Sequence, residues 1–166
     1  LFLTLDGKIV IVNSSSNQVI RTTVVSSGDY FNNPIFFDVI NNQLIASSAN
    51  GILALSQKEV REKYDIRDVV YEKEGIWIAT KQGEIIALSK NLEFIAKQKF
   101  PFAHFVGLIV SNDRLYALEK QGYLVVLPKN LASFDIYNVS LDTDDRVLVG
   151  QNGFYFDDKI LPVDTK

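Results

Sequence analysis

The chain has 166 residues, with 17 Lys and Arg against 20 Asp and Glu, one His, no Cys and no Met. At 47% hydrophobic and 22% charged residues, the composition is that of a globular domain and excludes disorder. The net charge of −3 argues against a nucleic-acid-binding surface, which needs clustered Lys and Arg. Without Cys there is no disulfide, no Cys-ligated zinc and no thiol nucleophile. The longest apolar run, residues 105–110, is far too short to span a membrane.

A short block of sequence is present in five copies along the chain. Each copy has an apolar strand, a polar turn that ends in Gly, and a second apolar strand. Asp-Gly, Asn-Gly and Gln-Gly pairs between apolar runs predict β-hairpins, because Gly adopts the positive φ that such turns require. In chain order, the turn glycines are Gly7, Gly51, Gly83, Gly122 and Gly153.

Two further β-rich stretches separate one block from the next, as at residues 94–100 and 105–110. This gives about four strands per repeat of roughly 30 to 45 residues, the size of one propeller blade. Residues 60–63 are the one candidate for a helical turn, and their β-branched and aromatic flanks favour a strand. The sequence therefore predicts an all-β protein, a β-propeller of four-stranded antiparallel blades.

The predicted domain organisation is a single propeller domain, or part of one, over residues 1–166. Its approximate repeats are 1–33, 34–67, 68–103, 104–138 and 139–166. About five blades either close a small ring or form a segment of a larger one. A segment would expose apolar blade faces, which other blades of the same protein or a partner would cover. The chain opens at Leu1 within an apolar run, so we expect a segment of a longer protein without its localisation signals.

With the repeats aligned, the chain resembles the quinoprotein-like (PQQ-type) propeller repeats. Those blades carry a Gly, two apolar residues, an Ala-Leu pair, a short polar turn and a further strand. Residues 83–95, from Gly83-Glu84-Ile85-Ile86-Ala87-Leu88 onward, fit this pattern well. Residues 51–60 fit it with one residue fewer, and residues 7–20 fit it with Val in place of the Ala-Leu pair.

The departures from that family pattern bear on function. Family blades close the turn with Thr-Gly and place a Trp in the last strand, whereas here Asn17 and Leu92 occupy the turn Gly position. The lone Trp77 lies on the preceding strand. The quinone-dependent dehydrogenases of this superfold use a vicinal disulfide, which a chain without Cys cannot form. The resemblance therefore implies the non-enzymatic branch, typified by the periplasmic scaffold lipoprotein of outer-membrane protein assembly, and a periplasmic or envelope-associated location.

A second resemblance leads to an alternative function. Residues 66–72, followed by 75–83 with Trp77 and Thr80, look like a blade of the sensor propellers in bacterial two-component receptors. This resemblance implies a ligand-sensing domain that signals through attached domains.

Few residues of the sequence are candidates for catalysis or for binding a metal or cofactor. His104 is the only imidazole, and no second His or Cys completes a nitrogen- or sulfur-rich metal site. Asp142, Asp144 and Asp145 lack the EF-hand spacing, and we interpret them as a solvated turn. No phosphate-binding Gly-rich loop is present. We therefore predict no enzyme activity, no catalytic residue, no metal and no cofactor.

The predicted function is a non-catalytic scaffold that presents loops to a protein partner, with a role in envelope protein assembly or maturation. Aromatic side chains dominate binding hot spots, so an exposed loop at residues 100–105 is the candidate partner-binding site. The residues assigned to it are Phe100, Phe102, His104 and Phe105.

Overall fold

A computed structural model describes residues 2–3, 8–24, 34–40, 43–48, 53–55, 58–60, 66–102, 104–140, 147–156 and 159–163. Every regular element among these residues is a β-strand, and the strands form five antiparallel sheets. The chain divides into two compact units, Leu1–Ile66 and Arg67–Lys166.

The first unit contains two sheets. Sheet 1 has three strands, β1 (Phe2–Leu3), β2 (Lys8–Val12) and β3 (Val19–Val24). Sheet 2 has four strands, β4 (Pro34–Ile40), β5 (Gln43–Ser48), β6 (Leu53–Leu55) and β7 (Lys58–Val60).

The second unit is built around three sheets, the first of which begins at the boundary between the units. Sheet 3 has β8 (Ile66–Tyr71), β9 (Ile76–Thr80), β10 (Glu84–Leu88) and β11 (Phe94–Lys99). Sheet 4 has β12 (Phe105–Ser111), β13 (Arg114–Glu119), β14 (Tyr123–Pro128) and β15 (Asp135–Asn138). Sheet 5 has β16 (Val147–Val149), β17 (Gly153–Phe156) and β18 (Lys159–Pro162).

Each sheet is a meander in which every strand pairs with its neighbours in sequence. Short polar turns allow this because two antiparallel strands need only a tight connection. The predicted all-β class with four-stranded antiparallel sheets is confirmed. The central strands are apolar at successive positions, since they are covered on both faces; all of β9 is buried, for example.

Residues other than Gly occupy the turn position at which the family pattern has Gly, and they adopt the backbone conformation that Gly favours. Asn17, Leu92 and Leu131 have φ of 53°, 64° and 59°, in the left-handed region that favours Gly. Each N–H donates back across its turn, as Leu92 N does to Ser89 O at 2.9 Å. The turn glycines Gly83 and Gly122 lie in the same region, with φ of 76° and 86°.

Two apolar interfaces hold the second unit together. Sheets 3 and 4 share one cluster, whose buried residues are Trp77, Ala79, Ile85, Ala87, Phe100, Phe105, Leu108, Leu115, Ala117, Val125, Leu127 and Leu131. Sheets 4 and 5 share another, whose buried residues are Ile109, Tyr116, Leu118, Leu124, Val126, Phe154, Phe156 and Val163. Sheet 4 is therefore packed on both faces, with alternate residues of each strand facing opposite neighbours.

Trp77 ties sheet 3 to the loop between β14 and β15. Its indole N–H donates to the backbone oxygen of Lys129 at 3.0 Å, while the Lys129 Nζ lies 5.5 Å from the centre of the indole ring. The same Nζ pairs with Glu72 Oε2 at 2.5 Å. The Trp is thus an inter-sheet anchor with a polar handle, which combines burial, a hydrogen bond and a cation–π contact.

The close approach of sheets 4 and 5 leads to a prediction at Gly107. A Cβ placed there would overlap Val149 Cγ2 and lie 3.1 Å from Phe154 Cε1, and Phe154 is fully buried. We expect Gly107→Ala to lower the free energy of unfolding by about 1–3 kcal/mol, because overpacking displaces these side chains. Urea unfolding followed by fluorescence of Trp77, the only Trp in the sequence, measures this change.

Gly150→Ala is the matched control. The three atoms nearest to its new methyl group belong to the ring of Tyr155, which is 38% exposed, whereas the methyl group at position 107 also approaches the fully buried Phe154. A Gly107→Ala variant as stable as the Gly150→Ala variant would contradict the packing described here.

Candidate partner-binding surface

The segment between sheets 3 and 4 contains the four residues predicted from the sequence to bind a partner. The structure brings them together but exposes them unequally. Phe100 and Phe105 are buried, at 3% and 1% exposure, in the core between the two sheets. Phe102 is half-buried and His104 is exposed. Of the four predicted residues, Phe102 and His104 are therefore the two that a partner can contact directly, and their binding role stays a prediction.

The buried and half-buried rings form one aromatic cluster. Phe102 stacks on Tyr123 with 5.5 Å between ring centroids, and its edge contacts Phe105 at 6.0 Å. Phe100 meets Phe134, which is 41% exposed, at 5.0 Å. Offset stacks and edge-to-face pairs at these distances are the favoured arrangements of aromatic rings. The cluster therefore gives the half-buried Phe102 a fixed platform below it and extends the aromatic surface to Phe134.

His104 joins the two hairpin turns that flank this cluster through its backbone. Its N–H donates to Lys81 O at 2.9 Å, and its own carbonyl accepts from Lys120 N at 3.1 Å. These bonds hold His104 at a φ of 73°, a conformation that L residues other than Asn and Asp seldom adopt. The imidazole is thus presented on a backbone that both neighbouring sheets fix.

A buried carboxylate lies close to this joint. Glu119 is 1% exposed, its Oε2 accepts from Gln121 N at 2.6 Å, and its Oε1 accepts no hydrogen bond from the residues that the structure describes. Burial raises the pKa of Glu119, while the hydrogen bond from Gln121 and the nearby His104 oppose that rise. Sheet 3 has Thr80 at the matching position of its own Lys-Gln-Gly turn, where the hydroxyl accepts from Glu84 N at 3.0 Å. Glu119 is therefore a charged replacement in a turn that otherwise takes a neutral side chain.

A second carboxylate connects the innermost strands of sheets 3 and 4. Asp68 Oδ2 accepts from Leu108 N at 2.8 Å, and Oδ1 accepts from Val69 N at 2.9 Å. Burial raises the pKa of Asp68, against the opposing effects of these two bonds and of Arg67. The bond from Val69 N orients the carboxylate within β8, and the bond from Leu108 N fixes the position of β8 against β12.

Among the described residues, no group of three or more His, Asp or Glu is placed to hold a metal ion. In the same part of the chain, no helix is long and apolar enough to cross a membrane. Asp142, Asp144 and Asp145, interpreted from the sequence as a turn, lie outside the described residues.

Sequence reasoning missed several residues of this region, namely Asp68, Glu119, Tyr123, Lys129 and Phe134. One signal was available: the aligned turns Thr80-Lys81-Gln82-Gly83 and Glu119-Lys120-Gln121-Gly122 differ only at their first residue, which marks Glu119 as unusual. No comparable signal identifies Asp68, because a single Asp within a strand is most simply a solvated residue.

Comparisons with known proteins give two relatives by sequence, which are PgbB proteins of two Helicobacter pylori strains, and many similar proteins by structure. The chain is 35% identical over 142 residues to the plasminogen-binding protein PgbB of Helicobacter pylori strain J99, a match that covers 84% of the chain and 26% of PgbB. The chain therefore spans about a quarter of the length of this relative. No family model matches the chain.

Two solved structures illustrate the fold. BamB from Moraxella catarrhalis shares 13% identity with a TM-score of 0.63, over 91% of this chain and 48% of BamB. Sqt1 of Saccharomyces cerevisiae shares 16% identity with a TM-score of 0.65, over 93% of this chain and 51% of Sqt1. Both are β-propellers, and the predicted propeller fold is confirmed. Membership of the PQQ-type family stays a prediction.

The two buried carboxylates generate a pH prediction. Because burial raises both pKa values in the folded state, folding takes up protons as the pH falls toward their ordinary values of about 4. Their contribution to the free energy of unfolding is therefore greatest in acid and is lost as the pH rises through the raised pKa values. We expect Glu119→Gln and Asp68→Asn each to change less in stability between pH 7 and pH 4 than the parent chain does.

Urea unfolding at both pH values, followed by Trp77 fluorescence, measures this difference. Glu93→Gln, at an exposed position on the β10–β11 turn, is the control and should keep the pH dependence of the parent. Equal pH dependence in the parent, Glu119→Gln and Asp68→Asn would contradict the prediction.

Proposed function

We propose that the chain is a non-catalytic β-propeller module that binds a protein partner, and that plasminogen is that partner. The observation that carries the proposal is the 35% identity to a plasminogen-binding protein over 142 residues. The match covers 26% of that relative, so assigning its binding function to this portion is part of the proposal.

The geometry supports binding at the exposed part of the aromatic cluster. Phe102 and Phe134 offer apolar surface, and His104 offers a polar group beside them. The buried rings and the two backbone bonds of His104 fix these side chains before a partner arrives. Preorganisation of this kind reduces the entropy lost on binding, and aromatic residues are the commonest hot spots of interfaces.

An envelope-associated location forms part of the same proposal and follows from the resemblance of the repeats to non-enzymatic periplasmic scaffold propellers. Cell fractionation tests it, since recovery in the cytoplasmic fraction alone would contradict it. A role in envelope protein assembly or maturation, and the alternative role as a ligand sensor, stay predictions.

Binding of the purified chain to immobilised plasminogen tests the proposal. We expect saturable binding, and we expect Phe102→Ala to weaken it at least about tenfold, equivalent to ~1.4 kcal/mol, as for the loss of an aromatic hot spot. His104→Asn should also weaken binding, because it removes the imidazole. Asn tolerates the positive φ, so this variant preserves the backbone joint.

Phe94→Ala is the matched control, because Phe94 is an exposed aromatic residue on β11, at 61% exposure, outside the aromatic cluster. Thermal unfolding of all variants confirms that they are folded. No saturable binding would overturn plasminogen as the partner. Equal affinity of Phe102→Ala, His104→Asn and the parent would overturn the assignment of the surface.

A further inference from the structure

Sheets 3, 4 and 5 succeed one another along the chain. We call the face of sheets 3 and 4 that is directed toward the following sheet the forward face, and we use the same name for the face of sheet 5 that points away from sheet 4. On sheet 3 the forward face of β10 contains Ile85 and Ala87, which are buried against sheet 4 at 0% and 3% exposure. On sheet 4 the forward face of β14 contains Leu124 and Val126, which are buried against sheet 5 at 8% and 6%.

Sheet 5 has an apolar forward face that is not buried. Phe154 and Phe156 point back into the cluster shared with sheet 4, so Tyr155 between them points forward. Tyr155 is directly opposite Leu148 on β16 and Ile160 on β18. The three side chains thus form a row across the sheet, with exposures of 71% for Leu148, 38% for Tyr155 and 61% for Ile160.

Sheet 5 differs from sheets 3 and 4 in the exposure of two side chains, Leu148 and Tyr155. Outermost strands are exposed throughout the unit, and β15 is exposed along its whole length, so Ile160 alone would be unremarkable. The inner strands β9, β10, β13 and β14 are buried at every position except at their ends. The strands β16 and β17 flank the Gly153 turn as β9 and β10 flank the Gly83 turn. A Leu side chain that is mostly exposed on β16 therefore lacks the cover that the corresponding strands receive.

We propose that the row formed by Leu148, Tyr155 and Ile160 is a docking face for a further β-sheet of the same repeat type, carried by a longer form of this polypeptide. Radial repetition of blades in a propeller leaves only short, protected edges, so a blade packs between two others, and a forward face of Leu, Tyr and Ile without a neighbouring sheet is incomplete.

Two observations favour a sheet of the same polypeptide as the occupant. First, the interface would continue the existing series, in which sheet 4 covers sheet 3 and sheet 5 covers sheet 4. Second, the match covers only 26% of PgbB, so this relative carries further sequence. The structural match covers 48% of BamB, so the propeller of BamB extends beyond the matched portion.

The side chains expected on the further sheet follow from the interface between sheets 3 and 4. The rear face of sheet 4, which packs on the forward face of sheet 3, is aliphatic at Leu115, Val125 and Leu127. A sheet that covers the row on sheet 5 needs a rear face of the same kind, with apolar residues at alternate positions of its strands. A second copy of this chain, docked through the same row, is the rival occupant and is an outcome of the test.

Thiol labelling tests the proposal, because the 166-residue chain has no Cys and each of its variants would carry a single thiol. In the complete protein, peptide mapping by mass spectrometry follows labelling at the introduced Cys. Leu148→Cys and Ile160→Cys are compared with Phe94→Cys, a matched apolar position at 61% exposure on β11. Each variant is made in the 166-residue chain and in the protein expressed from its complete gene. The rate of maleimide labelling and the mass in solution are then measured.

We expect both sheet 5 variants to label rapidly in the 166-residue chain and at least about tenfold more slowly in the complete protein, which remains a monomer. The Phe94→Cys variant should label at the same rate in both. Equal rates for Leu148→Cys in the two proteins would overturn the proposal. Protection that accompanies a doubled mass and disappears on dilution would overturn it in favour of a second copy. The proposal is independent of plasminogen binding.

Discussion

The structure depends on the requirement that a sheet with apolar side chains on both faces be covered on both sides. Sheet 4 meets this requirement: alternate residues of β14 enter two different clusters, Val125 toward sheet 3 and Leu124 toward sheet 5. Burying apolar surface contributes about 25 cal/mol for each Å² removed from water, so two covered faces contribute far more than one. The same requirement explains the continuous apolar sequence of the central strands and makes the open face of sheet 5 anomalous.

Apolar packing alone would leave adjacent sheets free to slide, and polar contacts between sheets 3 and 4 remove that freedom. The carboxylate of Asp68 accepts a backbone N–H from β12, the indole of Trp77 donates to Lys129 O, and the backbone of His104 joins two hairpin turns. Each contact is directional, unlike the hydrophobic effect, and each fixes one register. The cost is the burial of polar groups, such as Oε1 of Glu119, which accepts no hydrogen bond from any described residue.

Sequence periodicity predicted the strands and turns because their causes are local. An apolar run beside a Gly turn favours a hairpin through its own turn geometry, and even the turns without Gly, at Asn17 and Leu92, have the left-handed backbone. The candidate site was predicted only in part, because burial is not local. Phe100, Phe102 and Phe105 look alike in sequence, yet the packing of sheet 3 against sheet 4 buries Phe100 and Phe105 and leaves Phe102 half-buried. The positions of Asp68 and Glu119 between sheets likewise follow from tertiary packing.

The exposed and buried parts of the aromatic cluster are physically linked. Phe102 stands on Tyr123 and Phe105, and these rings are held by the strands that Asp68 and His104 keep in register. A surface side chain supported in this way loses little further freedom when a partner covers it, so more of its contact energy becomes affinity.

The Phe102 surface and the Leu148 row differ in chemical character. The Phe102 surface combines apolar and polar groups, as interfaces between independent proteins do, whereas the Leu148 row is apolar across three strands, as interfaces between sheets of one domain are.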